Sequence, residues 1–212
     1  MIYSLLMIAI IDYGAGNLRS VAKAIERLGY AAQVTDRPED VIKADAVILP
    51  GVGAAGDTMA SLRRLGLIGP IRETIEGRKP FLGVCLGLQV LLTGSEEGGW
   101  QDCLDIIPGI VRRLPEGLKV PHMGWNQVRQ LVDHPIFDGI PDNSNFYFVH
   151  SYFVDPVDKA VIAGETEYGI KFCSAIARDN LVATQFHPEK SGDIGLKLYD
   201  NFCQWAGIKR IK

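Results

Sequence analysis

The chain has 212 residues, of which 47% are hydrophobic, and this is enough to bury one sizeable core within a single domain. Its 22 basic and 25 acidic residues give a net charge of −3 and are scattered rather than gathered into runs. This distribution argues against nucleic acid as the main partner. No apolar run reaches the ~18 to 20 residues that a membrane-spanning helix needs, so we predict a soluble protein.

The cysteines and the first residues indicate a cytoplasmic chain. The four cysteines lie far apart, and none belongs to a Cys-x-x-Cys pair. We therefore predict free thiols, with Cys103, Cys173 and Cys203 packed as small apolar residues. Residues 1–11 are apolar but lack the basic start and the cleavage site of a signal peptide, so they are predicted to hold a buried strand. Residues 1–6 are an upstream extension if translation starts at Met7.

Elements in the first part of the chain alternate between strand and helix. Buried, β-branched runs predict strands at residues 7–11, 31–35, 46–49 and 81–84. Apolar residues at helical spacing predict a first helix at residues 18–28, followed by helices that start near residue 38 and cover 56–65 and 68–76. This alternation predicts a parallel sheet with helices on both faces.

After Gly98 the pattern changes to strands joined by tight turns. Strands are predicted at residues 106–114, 120–130, 145–154, 172–177 and 181–186, with a hairpin turn at 178–180 between the last two. Apolar residues at positions 194, 198, 202 and 205 predict a C-terminal helix. We therefore expect a more antiparallel set of strands to extend the parallel sheet within one domain of residues 1–212.

The strongest chemical signal is a cysteine between two glycines at a strand-to-helix turn. Cys85 follows the predicted strand at 81–84, precedes a helical pattern that starts near Leu86, and has glycine two residues away on each side. This is the elbow that holds a nucleophile out of a sheet. Unpaired N–H groups at the start of the helix favour thiolate over thiol. The alternative is a buried structural cysteine whose glycines serve packing.

A second signal is the His-Pro-Glu sequence that follows a later strand. Pro188 disfavours helical geometry at His187, and residues two apart in an extended chain point to the same side. His187 and Glu189 can therefore act together. The imidazole would take the thiol proton and return it to the leaving group, while the carboxylate orients the ring. The alternative is a solvated His-Pro-Glu turn.

A glycine-containing segment, Leu49-Pro-Gly-Val-Gly-Ala-Ala55, follows another parallel strand at the sheet edge where open α/β folds place their active sites. Its glycines allow a backbone N–H to turn towards a substrate, with the N–H of Leu86 as partner in an oxyanion hole. We hypothesise that the Gly51-Val52 peptide rotates to present its N–H, because packing alone does not require these glycines. The rival interpretation, a phosphate-binding loop, lacks the Gly-x-x-x-x-Gly-Lys-Ser/Thr motif.

Together these residues resemble the class I glutamine amidotransferases, which carry a Cys-His-Glu triad on a flavodoxin-like α/β sheet. The Pro-Gly-Val-Gly, Gly-Val-Cys-Leu-Gly-x-Gln and His-Pro-Glu blocks occur in the family's order. Further blocks are similar to those of the glutaminase subunits of imidazole glycerol phosphate synthases, in histidine biosynthesis. These blocks are residues 12–18, 121–126, 147–152 and 187–191. The similarity covers nearly the whole chain from about Met7.

The resemblance implies both a fold and a reaction. The fold is a mainly parallel central sheet with helices on both faces and an antiparallel extension. Glutamine would be hydrolysed through a γ-glutamyl thioester on Cys85, with His187 as base and acid and Glu189 orienting it. The oxyanion N–H groups would come from Val52 and Leu86. Glutamine would be held by Gly51, Gly53, Gln89, His150, Ser151 and Tyr152.

The same resemblance implies a protein partner. Ammonia would pass through a channel to a (β/α)₈ barrel cyclase in a heterodimer, which would make imidazole glycerol phosphate and aminoimidazole carboxamide ribonucleotide. The cyclase with its ligand would favour the rotated Gly51-Val52 peptide. No metal, organic cofactor, nucleic acid or membrane is implied. The residues facing the cyclase would be Asn17, Met123, Trp125 and Lys190.

Alternatives stay open for these positions and for the whole chain. Without the resemblance, Asn17 could cap the first helix, Trp125 could belong to the core, and Lys190 could be an ordinary solvated lysine. His134 is expected at the surface, and His122 has no evident partner. Rival functions are an amidotransferase subunit for another synthase, a stand-alone Cys-His-Glu hydrolase, and a catalytically silent binding subunit.

Overall fold

The computed structural model describes residues 7–211, and the predicted upstream extension at residues 1–6 lies outside this range. The first part of the chain contains β1 (Ile8–Ile11), α1 (Leu18–Arg27), β2 (Ala32–Thr35), α2 (Pro38–Lys43), β3 (Ala46–Gly51), α3 (Ala55–Arg64), α4 (Ile68–Glu76), β4 (Phe81–Cys85) and α5 (Leu86–Gln89). The rest contains β5 (Leu92–Ser95), β6 (Gln101–Asp102), β7 (Ile107–Arg113), β8 (His122–Gln130), β9 (Ser144–His150), β10 (Tyr152–Pro156), β11 (Ile162–Tyr168), β12 (Ile170–Arg178), β13 (Leu181–Thr184) and α6 (Gly192–Trp205). No helix in the described range is long and apolar enough to cross a membrane.

One mixed sheet organises these elements. Its main path runs in the order β2, β1, β3, β4, β13, β12, β10, β7, β5 and β6. The pairs from β2 through β1, β3 and β4 to β13 are all parallel, whereas β13–β12, β12–β10 and β10–β7 are antiparallel. Strands β11, β8 and β9 branch from β12 as an antiparallel group. The predicted parallel sheet with an antiparallel extension is confirmed.

The parallel strands are buried on both faces because helices cover both. Successive side chains of a strand point to opposite faces, and β1 follows this rule. Ile8 and Ile10 lie in one core cluster with Val21 of α1, whereas Ile11 lies in the other with Leu62 of α3. Burying each such side chain contributes about 2 kcal/mol to folding. The continuous apolar runs of the sequence are therefore those of central strands.

The four cysteines are free, as predicted, and all four are buried. Burial is the main cause that raises the pKa of the Cys103 thiol to about 11 and the pKa values of Cys173 and Cys203 to about 12. These three thiols are therefore protonated and unreactive near neutral pH.

Some predicted elements differ from the structure. The sequence predicts one strand over residues 145–154, but the chain changes partners at Ser151, since β9 pairs with β8 whereas β10 pairs with β7 and β12. The helix after Cys85 is a single turn, because the chain returns to the sheet at Leu92. Strands β5, β6 and β11 are not predicted. The first two are short, and β11 contains Gly164 at a register shift.

Candidate active site

Cys85 lies at the turn between β4 and α5, at the carboxyl end of a central parallel strand. Its φ of 55° is left-handed, a conformation that costs free energy for a residue with a side chain and that is often retained at functional sites. The residue is 7% exposed. The backbone therefore adopts the predicted elbow.

The glycines on either side of Cys85 are required by packing as well. A Cβ at Gly87 would fall on the carbonyl oxygen of Leu49 in β3, and a Cβ at Gly83 would lie 2.8 Å from the carbonyl oxygen of Gly87. Helix α5 therefore sits directly on the backbone of the sheet. This close packing fixes the position of Cys85 relative to the carboxyl ends of the strands.

His187 and Glu189 follow β13, the parallel neighbour of β4. The Nδ1 atom of His187 lies 2.9 Å from Oε1 of Glu189, and both side chains are 2% exposed. Because a carboxylate oxygen accepts, Nδ1 carries the proton of the ring. The pair is thus a buried ion-pairing unit, and the alternative of a solvated turn is wrong. His187 is extended as predicted, but residues Pro188–Lys190 form a 3₁₀ turn that brings the carboxylate back to the ring.

The ring and the thiol face a common cavity. His187 and Cys85 both line a cavity of ≈ 360 Å³. The Nε2 atom of His187 is buried, and within residues 7–211 it has no hydrogen-bond partner. Burial lowers the pKa of His187, but the neighbouring Cys85 and Glu189 side chains outweigh burial and raise the pKa to about 9. Next to a thiolate, this environment favours the imidazolium form.

Replacing Cys85 by alanine is expected to lower the pKa of His187 below its value of about 9, since one of the two groups that raise it is removed while burial remains. Titration of the His187 ring by NMR measures the change. Cys103→Ala, at a buried cysteine outside the cavity, is the matched control and should leave the titration unchanged. An identical His187 titration in wild type and Cys85→Ala would contradict the proximity of thiol and ring.

Neighbouring groups fix the position of the His187–Glu189 pair. The hydroxyl of Ser191 donates to the carbonyl oxygen of His187 at 2.6 Å and accepts from the N–H of Tyr147 at 3.0 Å. The hydroxyl of Tyr199 donates to Oε2 of Glu189 at 3.4 Å. A Cβ at Gly195 would fall on the carbonyl oxygen of Pro188, so α6 packs directly against the turn. Ser191, Tyr199 and the packing of α6 at Gly195 therefore fix the position of the pair.

The structure brings most predicted site residues to this cavity. The predicted residues that line it are Val52, Gly53, Cys85, Leu86, Gln89, His150, Ser151, Tyr152, His187 and Lys190. Gly51 pairs with Cys85 in the register of β3 and β4, so Val52 follows directly beside the thiol and Leu86. Among residues 7–211, no group of three or more His, Cys, Asp or Glu side chains could hold a metal ion.

Gly51 lies beneath the cavity rather than on its lining. A Cβ at this position would lie 2.7 Å from Cβ of Leu86 and 2.8 Å from the hydroxyl oxygen of Tyr13. Packing therefore does require glycine at 51, and the stated reason for the rotation hypothesis was wrong at this residue. Gly53 differs, because its φ is 99° and a Cβ there would meet nothing within 4 Å. Of the two glycines in this segment, Gly53 is the one that combines open space with a backbone that favours glycine.

Glu97 also lines the cavity, and sequence reasoning missed it. Its Oε2 accepts from the N–H of Ala55 at 2.8 Å, at the start of α3. This contact leaves the other carboxylate oxygen for a ligand in the cavity. Glu97 stands next to Glu96 in a loop rich in glycine, so no local pattern distinguishes the two carboxylates.

His122, which has no evident partner in the sequence, is part of a buried chain with His150. The Nδ1 of His150 lies 2.8 Å from the carbonyl oxygen of Tyr152, and its Nε2 lies 2.9 Å from Nδ1 of His122. A carbonyl only accepts, so His150 donates from Nδ1 and accepts at Nε2 from His122. The Nε2 of His122 then accepts from the amide of Asn126 at 3.2 Å. Burial is the main cause that lowers the pKa of His150 to about 3, so its ring is neutral.

The chain is expected to lose stability as the pH falls below about 6.5, the ordinary pKa of histidine, towards the folded-state pKa of His150 near 3. In this pH window the histidine is protonated in the unfolded state but not in the folded state. Each unit by which the pH is lowered therefore reduces the free energy of unfolding by up to about 1.4 kcal/mol. Urea unfolding at a series of pH values measures it. His150→Gln should show a shallower slope than wild type, and an equal slope would contradict the neutral buried ring.

Of the predicted partner-facing residues, Lys190 lines the cavity, and Met123 pairs with Val149, which lines it too. Met123 and Trp125 are 62% and 57% exposed, so the alternative that Trp125 belongs to the core is wrong. The Nζ of Lys190 lies 5.9 Å from the ring centroid of Tyr147, whose ring also meets that of Trp125 edge-on. Asn17 is the residue before α1, but its side chain makes no capping hydrogen bond. An exposed aromatic and basic surface therefore borders the site.

His134 is half-buried rather than fully at the surface. Its ring packs against Trp205, and its Nδ1 accepts from the N–H of Ile136 at 3.1 Å. It therefore caps the 3₁₀ turn Pro135–Phe137 and takes no part in the cavity.

Several known proteins are similar in sequence over nearly the whole chain. A family model described as "Glutamine amidotransferase class-I" matches residues 9–204. A protein of Dehalococcoides mccartyi (strain CBDB1), named "Imidazole glycerol phosphate synthase subunit HisH", is 55% identical over 200 residues, which cover 94% of this chain and 98% of that protein. A protein of the same name from Moorella thermoacetica is 56% identical over 195 residues, covering 92% and 93% of the two chains.

Solved structures share the fold at lower identity. One described as "Crystal structure of glutamine amidotransferase" has a TM-score of 0.73 at 20% identity, and covers 95% of this chain and 99% of its own. "Structure of PurLQS from Thermotoga maritima" has a TM-score of 0.75 at 16% identity, with the same coverage of 95% and 99%. The fold and the sequence matches agree, and the chain belongs to the class I glutamine amidotransferase family, within it to the HisH subunits of imidazole glycerol phosphate synthase.

Proposed function

We propose that this chain, as a single cytoplasmic domain, hydrolyses glutamine to glutamate and ammonia. The ammonia passes to a cyclase subunit that makes imidazole glycerol phosphate and aminoimidazole carboxamide ribonucleotide. The observation that carries the reaction is one cavity shared by an elbow cysteine, Cys85, and the buried His187–Glu189 pair. The relatives named as synthase subunits, at 55% and 56% identity, support the pathway and the need for a partner.

The proposed reaction starts with attack by the thiolate of Cys85 on the side-chain amide carbon of glutamine. The N–H groups of Val52 and Leu86 stabilise the oxyanion of the tetrahedral intermediate. The imidazolium of His187 gives its proton to the leaving ammonia, and a γ-glutamyl thioester remains. His187 then takes a proton from water, which attacks the thioester and releases glutamate. Glu189 holds the ring and favours its charged form throughout.

The cavity offers groups for the rest of the substrate. Glutamine carries an α-ammonium and an α-carboxylate, and the free carboxylate oxygen of Glu97 suits the ammonium. The amide N–H groups of Gln89 donate to the carbonyl oxygen of Tyr152 at 2.9 Å and to Gln185 at 3.2 Å, so only its Oε1 remains for the substrate. Gly53, His150, Ser151 and Tyr152 line the same cavity.

Glu97→Gln is expected to raise the KM for glutamine about 10- to 100-fold with a smaller change in kcat, since a charge-assisted hydrogen bond to the substrate is lost. Steady-state glutamate release measures both constants. The amide oxygen that this variant has at position 97 can still accept from the N–H of Ala55, so the contact with α3 is kept. Glu96→Gln is the matched control, because Glu96 pairs with Arg112 at 3.1 Å outside the cavity. This variant should leave the KM for glutamine unchanged. Equal KM values for the two variants would rule out this role.

The cyclase would dock on the surface that borders the cavity. Met123 and Trp125 expose large apolar side chains, and methionine and aromatic residues are enriched at protein–protein interfaces. Lys190 lines the cavity and also belongs to this surface. The side chain of Asn17 makes no capping hydrogen bond to α1. Ammonia released at Cys85 would leave the cavity towards the partner.

Partner binding would also control the reaction through the Gly51-Val52 peptide. Rotation of this peptide would turn its N–H towards the oxyanion, and Gly53 provides the adjacent freedom. The cyclase with its ligand would favour the rotated state.

The test is glutamate production by the chain alone, with a cyclase subunit, and with the cyclase and its nucleotide ligand. We expect slow release by the chain alone and strong stimulation by the ligand-bound partner. Full turnover without any partner would instead support a stand-alone hydrolase and would contradict both the pathway and the control by the Gly51-Val52 peptide.

A further inference from the structure

Gln185 is a buried polar residue beside the nucleophile that the motifs do not explain. It follows β13 directly and is fully buried. Its side-chain Nε2 lies 3.7 Å from Sγ of Cys85, and its Oε1 lies 3.2 Å from Nε2 of Gln89. Its backbone N–H donates to the carbonyl oxygen of Ser174 at 2.9 Å, so the residue is anchored in the sheet. A buried amide in such a place needs partners that its position dictates.

The hydrogen bonds around Gln185 fix which end of its amide faces the sulfur. The carbonyl oxygen of Tyr152 only accepts, so the group of Gln89 that lies 2.9 Å from it is the NH₂. The same NH₂ faces Gln185, which must therefore present its oxygen to Gln89. If the Gln185 amide were turned over, its NH₂ would face the NH₂ of Gln89, and two donors would meet. The NH₂ of Gln185 consequently points at Cys85.

We propose that Gln185 is a positioning residue for Cys85, whose amide N–H donates to the sulfur, holds its rotamer and stabilises the thiolate. This inference rests on the proposed function, because it assigns the sulfur its role as nucleophile. A donor stabilises an anionic acceptor about twice as strongly as a neutral one, so the bond favours the thiolate over the thiol. The amide does not titrate, so it stabilises the charge without competing for the proton.

The contact also links the sulfur to the substrate-binding backbone. Gln185, Gln89 and the carbonyl of Tyr152 form one unbroken set of hydrogen bonds. The Nδ1 N–H of His150 donates to the same carbonyl oxygen at 2.8 Å. A shift in this wall of the cavity would therefore move the donor at Cys85. Positioning of the nucleophile is coupled to the wall that holds glutamine.

The test compares alkylation of Cys85 by iodoacetamide across a pH series in wild type, Gln185→Met and Gln185→Glu. Methionine keeps the length of the side chain without a donor, and glutamate opposes the thiolate with a second negative charge. Cys103, Cys173 and Cys203, with thiol pKa values of about 11 to 12, do not compete near neutral pH. Thr184→Val is the matched control. Thr184 is the residue before Gln185, and the substitution removes a buried hydrogen bond from its hydroxyl to the carbonyl oxygen of Phe186.

We expect the alkylation profile of Gln185→Met to move up by about one pH unit, with about tenfold slower reaction near neutral pH, and that of Gln185→Glu to move further. Thr184→Val should keep the wild-type profile. A folded Gln185→Met or Gln185→Glu protein with the wild-type profile would overturn the proposal, as would an equal shift in Thr184→Val. Alkylation needs no glutamine turnover. A shifted profile in a chain that never hydrolyses glutamine would therefore count against the proposed function alone.

Discussion

Replacing Cys85 by alanine is expected to lower glutamine-dependent turnover by a factor on the order of 10⁴ or more, measured as glutamate release in the complex with the cyclase. The reason is that the sulfur forms the covalent bond, and the oxyanion and binding groups that remain cannot replace a nucleophile. Loss of one member of such a catalytic unit costs nearly as much as loss of all of them.

Two controls separate chemistry from folding in this experiment. The complex with Cys85→Ala should still make product when ammonium salt replaces glutamine, because partner docking does not need the sulfur. Cys103→Ala, at a buried thiol outside the cavity, should retain wild-type glutamate release. Retention of glutamine turnover by Cys85→Ala would show that another group acts as nucleophile.

Gly87→Ala is expected to cost about 3 kcal/mol or more in the free energy of unfolding and to abolish the reactivity of Cys85. A Cβ at Gly87 would fall on the carbonyl oxygen of Leu49, so α5 must move away from β3. That movement takes the start of the helix, and the thiol with it, out of the cavity. Chemical denaturation measures the stability, and iodoacetamide labelling measures the thiol.

Gly69→Ala is the matched control for this substitution. Gly69 lies in α4, and a Cβ there would meet nothing within 4 Å apart from its neighbours in the chain. Alanine has the higher helix propensity, but its Cβ meets the ring of Pro70, so this variant should change the free energy of unfolding by no more than about 1 kcal/mol. Wild-type stability and labelling in Gly87→Ala would mean that α5 does not rest on the backbone of β3.

The catalytic candidates could be predicted from the sequence because each depends on a short local pattern. Glycine on both sides of Cys85 marks the turn, and Pro188 restricts His187 to extended geometry. The continuous apolar runs of the parallel strands likewise indicate burial on both faces. Their roles in the reaction remain predictions that the variants above test.

Residues that reach the site through long-range pairing could not be predicted in this way. Gln185 meets Cys85 only because β13 runs parallel to β4 in one particular register. His122 meets His150 because the two are directly opposite each other in the β8–β9 ladder. Glu97 enters the cavity from a loop whose path no residue pattern dictates. Register and loop path are set by the whole fold, so a local pattern does not contain them.

Two further differences have similar causes. Residues 145–154 carry an uninterrupted strand pattern, and only the competing pairings of β9 and β10 reveal the break at Ser151. Gly51 is typical of a flexible loop, yet the crowding by Tyr13 and Leu86 becomes evident only when distant segments are assembled. In both cases tertiary contacts decide what the local sequence leaves open.

The most direct test of the nucleophilic role of Cys85 is a search for the covalent intermediate. The chain is mixed with cyclase, its ligand and glutamine, quenched with acid during turnover, digested and analysed by mass spectrometry. We expect a γ-glutamyl adduct on the peptide that carries Cys85 and on none with Cys103, Cys173 or Cys203. Rapid glutamate production with an unmodified Cys85 at every quench time, together with full turnover by Cys85→Ala, would contradict the account.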